Sequence, residues 1–194
     1  FYINTKGTLS FQEPICDWTP TAFPGAEYNQ VAGFWADFDF TVQGVCYWET
    51  TPTAAIVTFL EVGYWPGQGG LRNNMQMVIT DGNDPLLPAG YNVGFFYGDM
   101  NWAHGGVGGA AGCCGPNPAI VGVDLANTTD GLQIGQFNLL DDTYDGPYVD
   151  AGVNWLDNKN FFLMTCDDSG DAVDNHPPIP TNNNAMFDGV WPGI

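Results

Sequence analysis

Apolar and polar residues alternate with a period of two along most of this chain, and no segment sustains a 3.6-residue period for three turns. In 41–49, Val42, Cys46 and Trp48 fall on one face, and Thr41, Gln43 and Glu49 on the other. In 56–64, Ile56, Leu60, Val62 and Tyr64 share a face. Phe59 lies opposite them, which predicts a strand buried on both sides. Met75, Met77 and Ile79 then alternate with Asn74, Gln76 and Thr80 before a turn at Asp81-Gly82. Residues 93–97, 119–125 and 131–137 read as further strands, the last two joined by a turn around Asn127–Gly131, and 160–166 reads as the closing strand. At the start, Tyr2–Phe11 forms two short β runs about a Lys6-Gly7 turn. The intervening stretches are a Pro- and Gly-rich loop after Phe11, a glycine-rich loop at 103–118 and a polar acidic loop at 141–157.

Composition supports the same reading. Asp, Asn, 26 Gly and 14 Pro favour turns between short strands over helices. The expected fold is therefore all-β: an antiparallel β-sandwich with long Gly/Asp-rich loops and at most short helices. A domain over 1–168 is followed by a Pro- and Asn-rich extension, 169–194. That extension ends on Met186, Phe187, Val190 and Trp191, apolar residues expected to contact a neighbouring subunit or to pack on their own domain.

Charge narrows the partners. Three Lys and Arg residues face 22 Asp and Glu, a net charge of −19. Nucleic acid needs a basic footprint and is excluded, as is electrostatic docking on anionic lipid. No run of 18 or more apolar residues exists to insert in a membrane as a helix.

The residue order adds a resemblance. Tyr2-Ile3-Asn4-Thr5-Lys6-Gly7-Thr8-Leu9-Ser10-Phe11, a Pro-rich loop, and then Phe34-Trp35-Ala36-Asp37-Phe38-Asp39 resemble the opening of the extracellular nidogen-like (NIDO) domain. Gln76–Gly82 with Phe95–Trp102, and the later 121–166, are similar to its central and closing motifs. The likeness covers about 1–168 and is nearest to secreted bacterial surface members. Departures are Gly33 where the family usually has Pro, Cys46 in the following strand, and a start inside the motif, which implies an earlier strand. The resemblance implies an extracellular or cell-surface module of architecture and adhesion.

Candidate chemistry is sparse. Cys16, Cys46, Cys113, Cys114 and Cys166 lack zinc spacing and suit disulfides in an oxidising compartment. Expected bridges are Cys16 with Cys46, and Cys113 or Cys114 with Cys166. The adjacent pair is expected to bond in two directions, because a ring between neighbours is strained. Asp37 and Asp39, one residue apart, are candidate calcium ligands, with backbone capping as the favoured alternative. The acidic cluster of Asp141, Asp142 and Asp145 is a second candidate against a plainly solvated loop, and Asp167–Asp171 lacks the Gly and Glu of an EF-hand. Asn127-Thr128-Thr129 is a glycosylation sequon. Neither Ser10 nor Ser169 lies in a nucleophile motif. A Cys113–His104 pair or an Asp37/Asp39 carboxylate pair would be needed for a hydrolase. The expected function is a non-enzymatic structural or adhesion module, the repeating unit of a surface filament or sheath, which self-associates or joins neighbouring domains. The alternative is a glycan-binding module, since exposed Trp and Tyr can stack on sugars.

Overall fold

In the computed structural model, residues 1–106 and 112–164 are described. Two sheets face each other across one core. The first contains β1 (Tyr2–Asn4), β2 (Thr8–Ser10), β3 (Asn29–Trp35), β9 (Ala119–Leu125), β10 (Gly131–Leu139) and β11 (Asp150–Gly152), in that spatial order. The second runs β12 (Asn160–Leu163), β8 (Val93–Met100), β7 (Gln68–Thr80) and β6 (Ala54–Tyr64). Two strands, β4 (Phe38–Asp39) and β5 (Val45–Thr50), share the outer flank of β6. The all-β sandwich expected from the alternation is present. One strand breaks the antiparallel rule, since β11 runs parallel to β10.

Aromatic residues from both sheets fill the space between them. Trp102, fully buried, meets Phe34 and Phe38 edge-on with ring centroids 5.6 and 5.3 Å away. Its indole N–H donates to the carbonyl of Val62 at 2.9 Å, so the ring brings no unsatisfied polar atom into the core. The Tyr97 hydroxyl on β8 donates to the carbonyl of Gly33 on β3 at 2.6 Å and links the two sheets directly. Burial pushes that phenol well above its ordinary pKa.

The alternation fails in one strand for a physical reason. In β6, Val57 and Phe59 enter the main core together with Val62 and Tyr64, while Ile56 faces the other way. An extra residue accounts for the change of parity. The register with β7 shifts between Phe59 and Val62, and Glu61 adopts φ 55°. A bulge of this kind moves every later side chain to the opposite face. Asn74 Oδ1 accepts the Glu61 N–H at 2.8 Å, and Arg72 donates to the Glu61 carboxylate at 2.9 Å. The bulge is thereby held from the neighbouring strand, and the Arg72 hydrogen bond keeps the Glu61 carboxyl below its ordinary pKa, against partial burial.

Two other predicted stretches differ. Residues 41–44 form a turn, and the strand starts only at Val45. The expected acidic loop at 141–157 contains β11 and a single 3-10 turn, Val153–Leu156. Tyr144 stacks on Trp155 there at 4.0 Å between ring centroids.

The outer face of the first sheet is covered by a strap, residues 11–28, and polar strand residues hold it. Asn4 Oδ1 accepts the N–H of Ile15, and Gln133 Oε1 accepts that of Phe23, both at 2.8 Å. Asp124 Oδ2 accepts the N–H groups of Gly25 and Ala26 at 2.8 and 3.1 Å. Beneath the strap, Phe23 and Ala26 pack on Ala32, Trp35 and Ile120.

Candidate functional site

The chain crosses from the first sheet to the second between Trp35 and Phe38, and this corner carries the most distinctive geometry. The Lys6-Gly7 turn is bonded to it through the backbone: Phe34 N–H donates to the Gly7 carbonyl at 3.2 Å, and Ala36 N–H to the Lys6 carbonyl at 3.1 Å. Gly7 has φ +79° and lies directly against the Phe34 carbonyl, where a Cβ would collide. Lys6 Nζ then reaches Asp37 Oδ1 at 2.5 Å and the Phe38 carbonyl at 3.3 Å. The two opening motifs of the sequence therefore meet through both backbone and an ion pair.

Above this ion pair lies a cleft of about 420 Å³ lined by Lys6, Trp18, Asp37 and Trp65. Trp18 comes from the strap. The preceding Asp17 accepts the Thr19 N–H on its carboxylate at 2.8 Å and the Trp35 indole N–H on its carbonyl at 3.2 Å. Trp65 comes from the β6–β7 turn, donating its N–H to the Asp37 carbonyl at 3.0 Å. Its own carbonyl accepts from Gly106, a residue so close to Pro66 that a Cβ would not fit. Both indoles are half-exposed, at 53% and 50%. Sequence reasoning missed Lys6, Trp18 and Trp65 as site residues. The available signal was a Trp set among turn formers, Asp17-Trp18-Thr19-Pro20 and Trp65-Pro66-Gly67, where a core ring is not expected.

The expected calcium ligands have other roles. Asp37 forms the ion pair with Lys6. Asp39 accepts from the Thr41 N–H and hydroxyl at 2.8 and 2.6 Å, and from the Gly67 N–H at 2.7 Å. Burial raises its pKa, but the Thr41 and Gly67 hydrogen bonds with nearby Lys6 outweigh that, and the carboxyl sits below its ordinary value. Asp141 Oδ1 closes a turn on Thr143, while Asp142 and Asp145 lie exposed in the same loop. Among the described residues no three His, Cys, Asp or Glu side chains converge as an ion site.

The cysteines correct the expected pairing. Cys113 and Cys114 are bonded to each other, with Cα atoms 3.8 Å apart, and not to two different partners. Backbone geometry accommodates the ring: Cys114 adopts φ 64°, and its N–H donates to the Asn138 carbonyl at 2.7 Å. Cys16 and Cys46 are free thiols and do not bridge. Cys16 lies exposed on the strap, outside the first sheet, whereas Cys46 on β5 in the second sheet packs against the core. The sandwich stands between them. Burial pushes the Cys46 thiol up to about 11. His104 is buried, its Nδ1 has no hydrogen-bond partner among the described residues, and burial holds its pKa below the ordinary value. Cys113, tied in its disulfide, offers no thiolate to it.

Asn127 is exposed in the β9–β10 turn, where its Oδ1 accepts from Thr129 and Asp130 N–H at 3.1 and 2.7 Å. Cys166, Asp167–Asp171 and the apolar tail of Met186, Phe187, Val190 and Trp191 lie outside the described residues.

No curated protein and no solved structure matches the chain. The sequence profile of the nidogen-like domain matches residues 1–191. With the profile spanning nearly the whole chain and its two opening motifs joined at one corner of the sandwich, this protein belongs to the nidogen-like (NIDO) family, a family of extracellular modules of larger proteins.

Proposed function

We propose that the chain is a non-enzymatic extracellular module of surface architecture and adhesion, working by contact with further copies of itself or with neighbouring modules. The observation that supports this most directly is strand β5. It pairs with β6 along one edge, from Val45↔Leu60 to Thr50↔Ala55, and no described strand pairs with its other edge. Val45, Tyr47 and Trp48 are 41%, 45% and 67% exposed there. An apolar edge whose alternate N–H and C=O groups face solvent is suited to strand addition by a partner. In the finer form of this reading the chain is the repeating unit of a filament or sheath, with the apolar end of the tail docked on the next copy. A net charge of −19 opposes such contacts, so salt or divalent cations favour them.

The test is the oligomeric state of the full chain by light scattering and electron microscopy, at low salt, at high salt and with calcium. Assembly is expected to rise with ionic strength and to be lost in the double variant Tyr47→Ala, Trp48→Ala. Particles that stay monomeric throughout, or assembly unchanged in the variant, would refute the reading. A second reading, glycan binding, is favoured by the cleft between Trp18 and Trp65.

A further inference from the structure

Four side chains from four segments distant in sequence form a cleft that the sandwich itself does not need. Trp35 and Trp102 are fully buried and support the core. Trp18 and Trp65 instead present half of their surface to solvent across a shared cavity. Their backbones are fixed on both sides by the Asp17, Asp37 and Gly106 hydrogen bonds, so little ordering is required when a ligand binds between them. On the floor, Lys6 and Asp37 place a donor beside an acceptor. The Lys6 ammonium has three N–H donors and directs two at Asp37 and Phe38; Asp37 engages Lys6 through Oδ1.

We infer that this cleft is a binding site for neutral carbohydrate, with the apolar face of a pyranose ring against Trp18 and Trp65 and its hydroxyls on Lys6 and Asp37. The assignment rests on the glycan reading and not on self-assembly. Ligand chemistry follows from the four residues. A flat indole attracts a surface of C–H groups, and sugars combine that surface with hydroxyls that donate and accept at once. The ion pair offers both functions and has no net charge. An anionic glycan would have to approach a chain of charge −19. A quaternary ammonium would suit the indoles but meets the Lys6 ammonium at the floor. A purely aliphatic ligand would strip water from Lys6 and Asp37 and return no hydrogen bond. The volume, about 420 Å³, falls in the usual range of roughly 300–1,000 Å³ for small-molecule sites and suits a short oligosaccharide.

Titration of the full chain by tryptophan fluorescence and calorimetry tests the assignment. The probes are cellobiose, maltose, lactose and diacetylchitobiose, with choline and a heparin disaccharide as charged controls. At least one neutral disaccharide is expected to saturate. Trp18→Ala and Trp65→Ala should each weaken it about tenfold or more, while Trp65→Phe, which keeps an aromatic face, should retain most of the affinity. Tyr148→Ala, a change of an exposed aromatic residue away from both the cleft and β5, should leave the affinity unchanged. Circular dichroism confirms that each variant is folded. Three results overturn the assignment: no neutral probe saturates, choline or heparin binds in preference, or the folded Trp18 and Trp65 variants bind as the parent does. Light scattering on the same samples separates this outcome from the assembly reading, because sugar binding can fail while the β5 contact persists.

Discussion

Replacing Asp124 with alanine removes three hydrogen bonds at once, two of them to the strap. Asp124 is buried in β9 and receives Gly25 and Ala26 on Oδ2, and Ala126 on Oδ1 at 2.6 Å. Each hydrogen bond to a charged acceptor contributes about 1.5–3 kcal/mol. Gly25 and Ala126 are partly exposed and regain water, whereas Ala26 N–H remains buried with nothing to accept it. A loss of about 3–5 kcal/mol is therefore expected, a large share of the roughly 5–15 kcal/mol that holds a domain folded. For a chain of this size, about 2–4 °C is lost per kcal/mol, which gives a fall of roughly 6–20 °C.

The distribution of the effect matters as much as its size. Strap release uncovers the Phe23–Trp35 cluster and frees Trp18, so the cleft loses one wall before the sandwich unfolds. Hydrogen exchange should accelerate at Gly25 and Ala26, and proteases should cut within 11–28, at urea concentrations that leave β7 and β8 protected. Asp124→Asn keeps one acceptor oxygen and should lose distinctly less, which gives a readable variant if the alanine chain does not fold. A loss below about 1 kcal/mol for Asp124→Ala, with unchanged exchange at Gly25 and Ala26, would refute the view that polar strand residues hold the strap.

Two carboxyls should respond to acid with opposite signs, read as urea midpoints across acidic pH in the parent, Asp39→Asn and Asp157→Asn. Asp39 titrates below its ordinary value of 3.8, so its stabilisation is present above that value and is lost as pH falls through the folded pKa. Asp157 is pushed above 3.8, chiefly by burial, so its charge costs stability at neutral pH and protonation on acidification relieves the cost. Asp39→Asn should therefore destabilise at neutral pH, and Asp157→Asn should not; matching acid profiles in all three proteins would show the reasoning wrong. Peptide mapping after brief alkylation of native protein at mildly alkaline pH should label exposed Cys16 and spare Cys46, whose thiol is pushed up to about 11. The peptide containing Cys113 and Cys114 should carry neither label without prior reduction.

Much of the sandwich was legible because period-two alternation reports which face is buried. Met75, Met77 and Ile79 all face the core as read. The signal failed where the backbone changed parity without a mark in composition: Glu61 looks like any exposed strand residue, yet it is the bulge that turns Val62 and Tyr64 inward. Alternation also treats polar positions as solvent-facing. Asp124 and Gln133 are buried because a distant segment folds over them, and no local pattern announces that. The cleft was illegible for the same reason. Lys6 and Asp37 could be read in their motifs, but the approach of Trp18 and Trp65 exists only after the strap and the β6–β7 turn are both in place.

The three cations show how a chain with so many acids is organised. Each is fixed where the backbone leaves regular β geometry: Lys6 at the crossing between sheets, Arg72 at the Glu61 bulge, and Lys159 over the Trp155 ring at the 3-10 turn. Lys6, Arg72 and Lys159 also donate to the carbonyls of Phe38, Gly69 and Trp155. With each Lys and Arg engaged in this way within its own chain, the excess of 22 acidic over three basic residues is left uncompensated. The proposed contact between copies would then rest on the β5 edge and its apolar residues Val45, Tyr47 and Trp48, aided by cations supplied from outside. The salt dependence expected of the proposed assembly thus has the same origin as the placement that keeps the corner, the bulge and the turn in shape. A neutral sugar in the Lys6–Asp37 cleft, which meets no net charge, should bind with little dependence on salt.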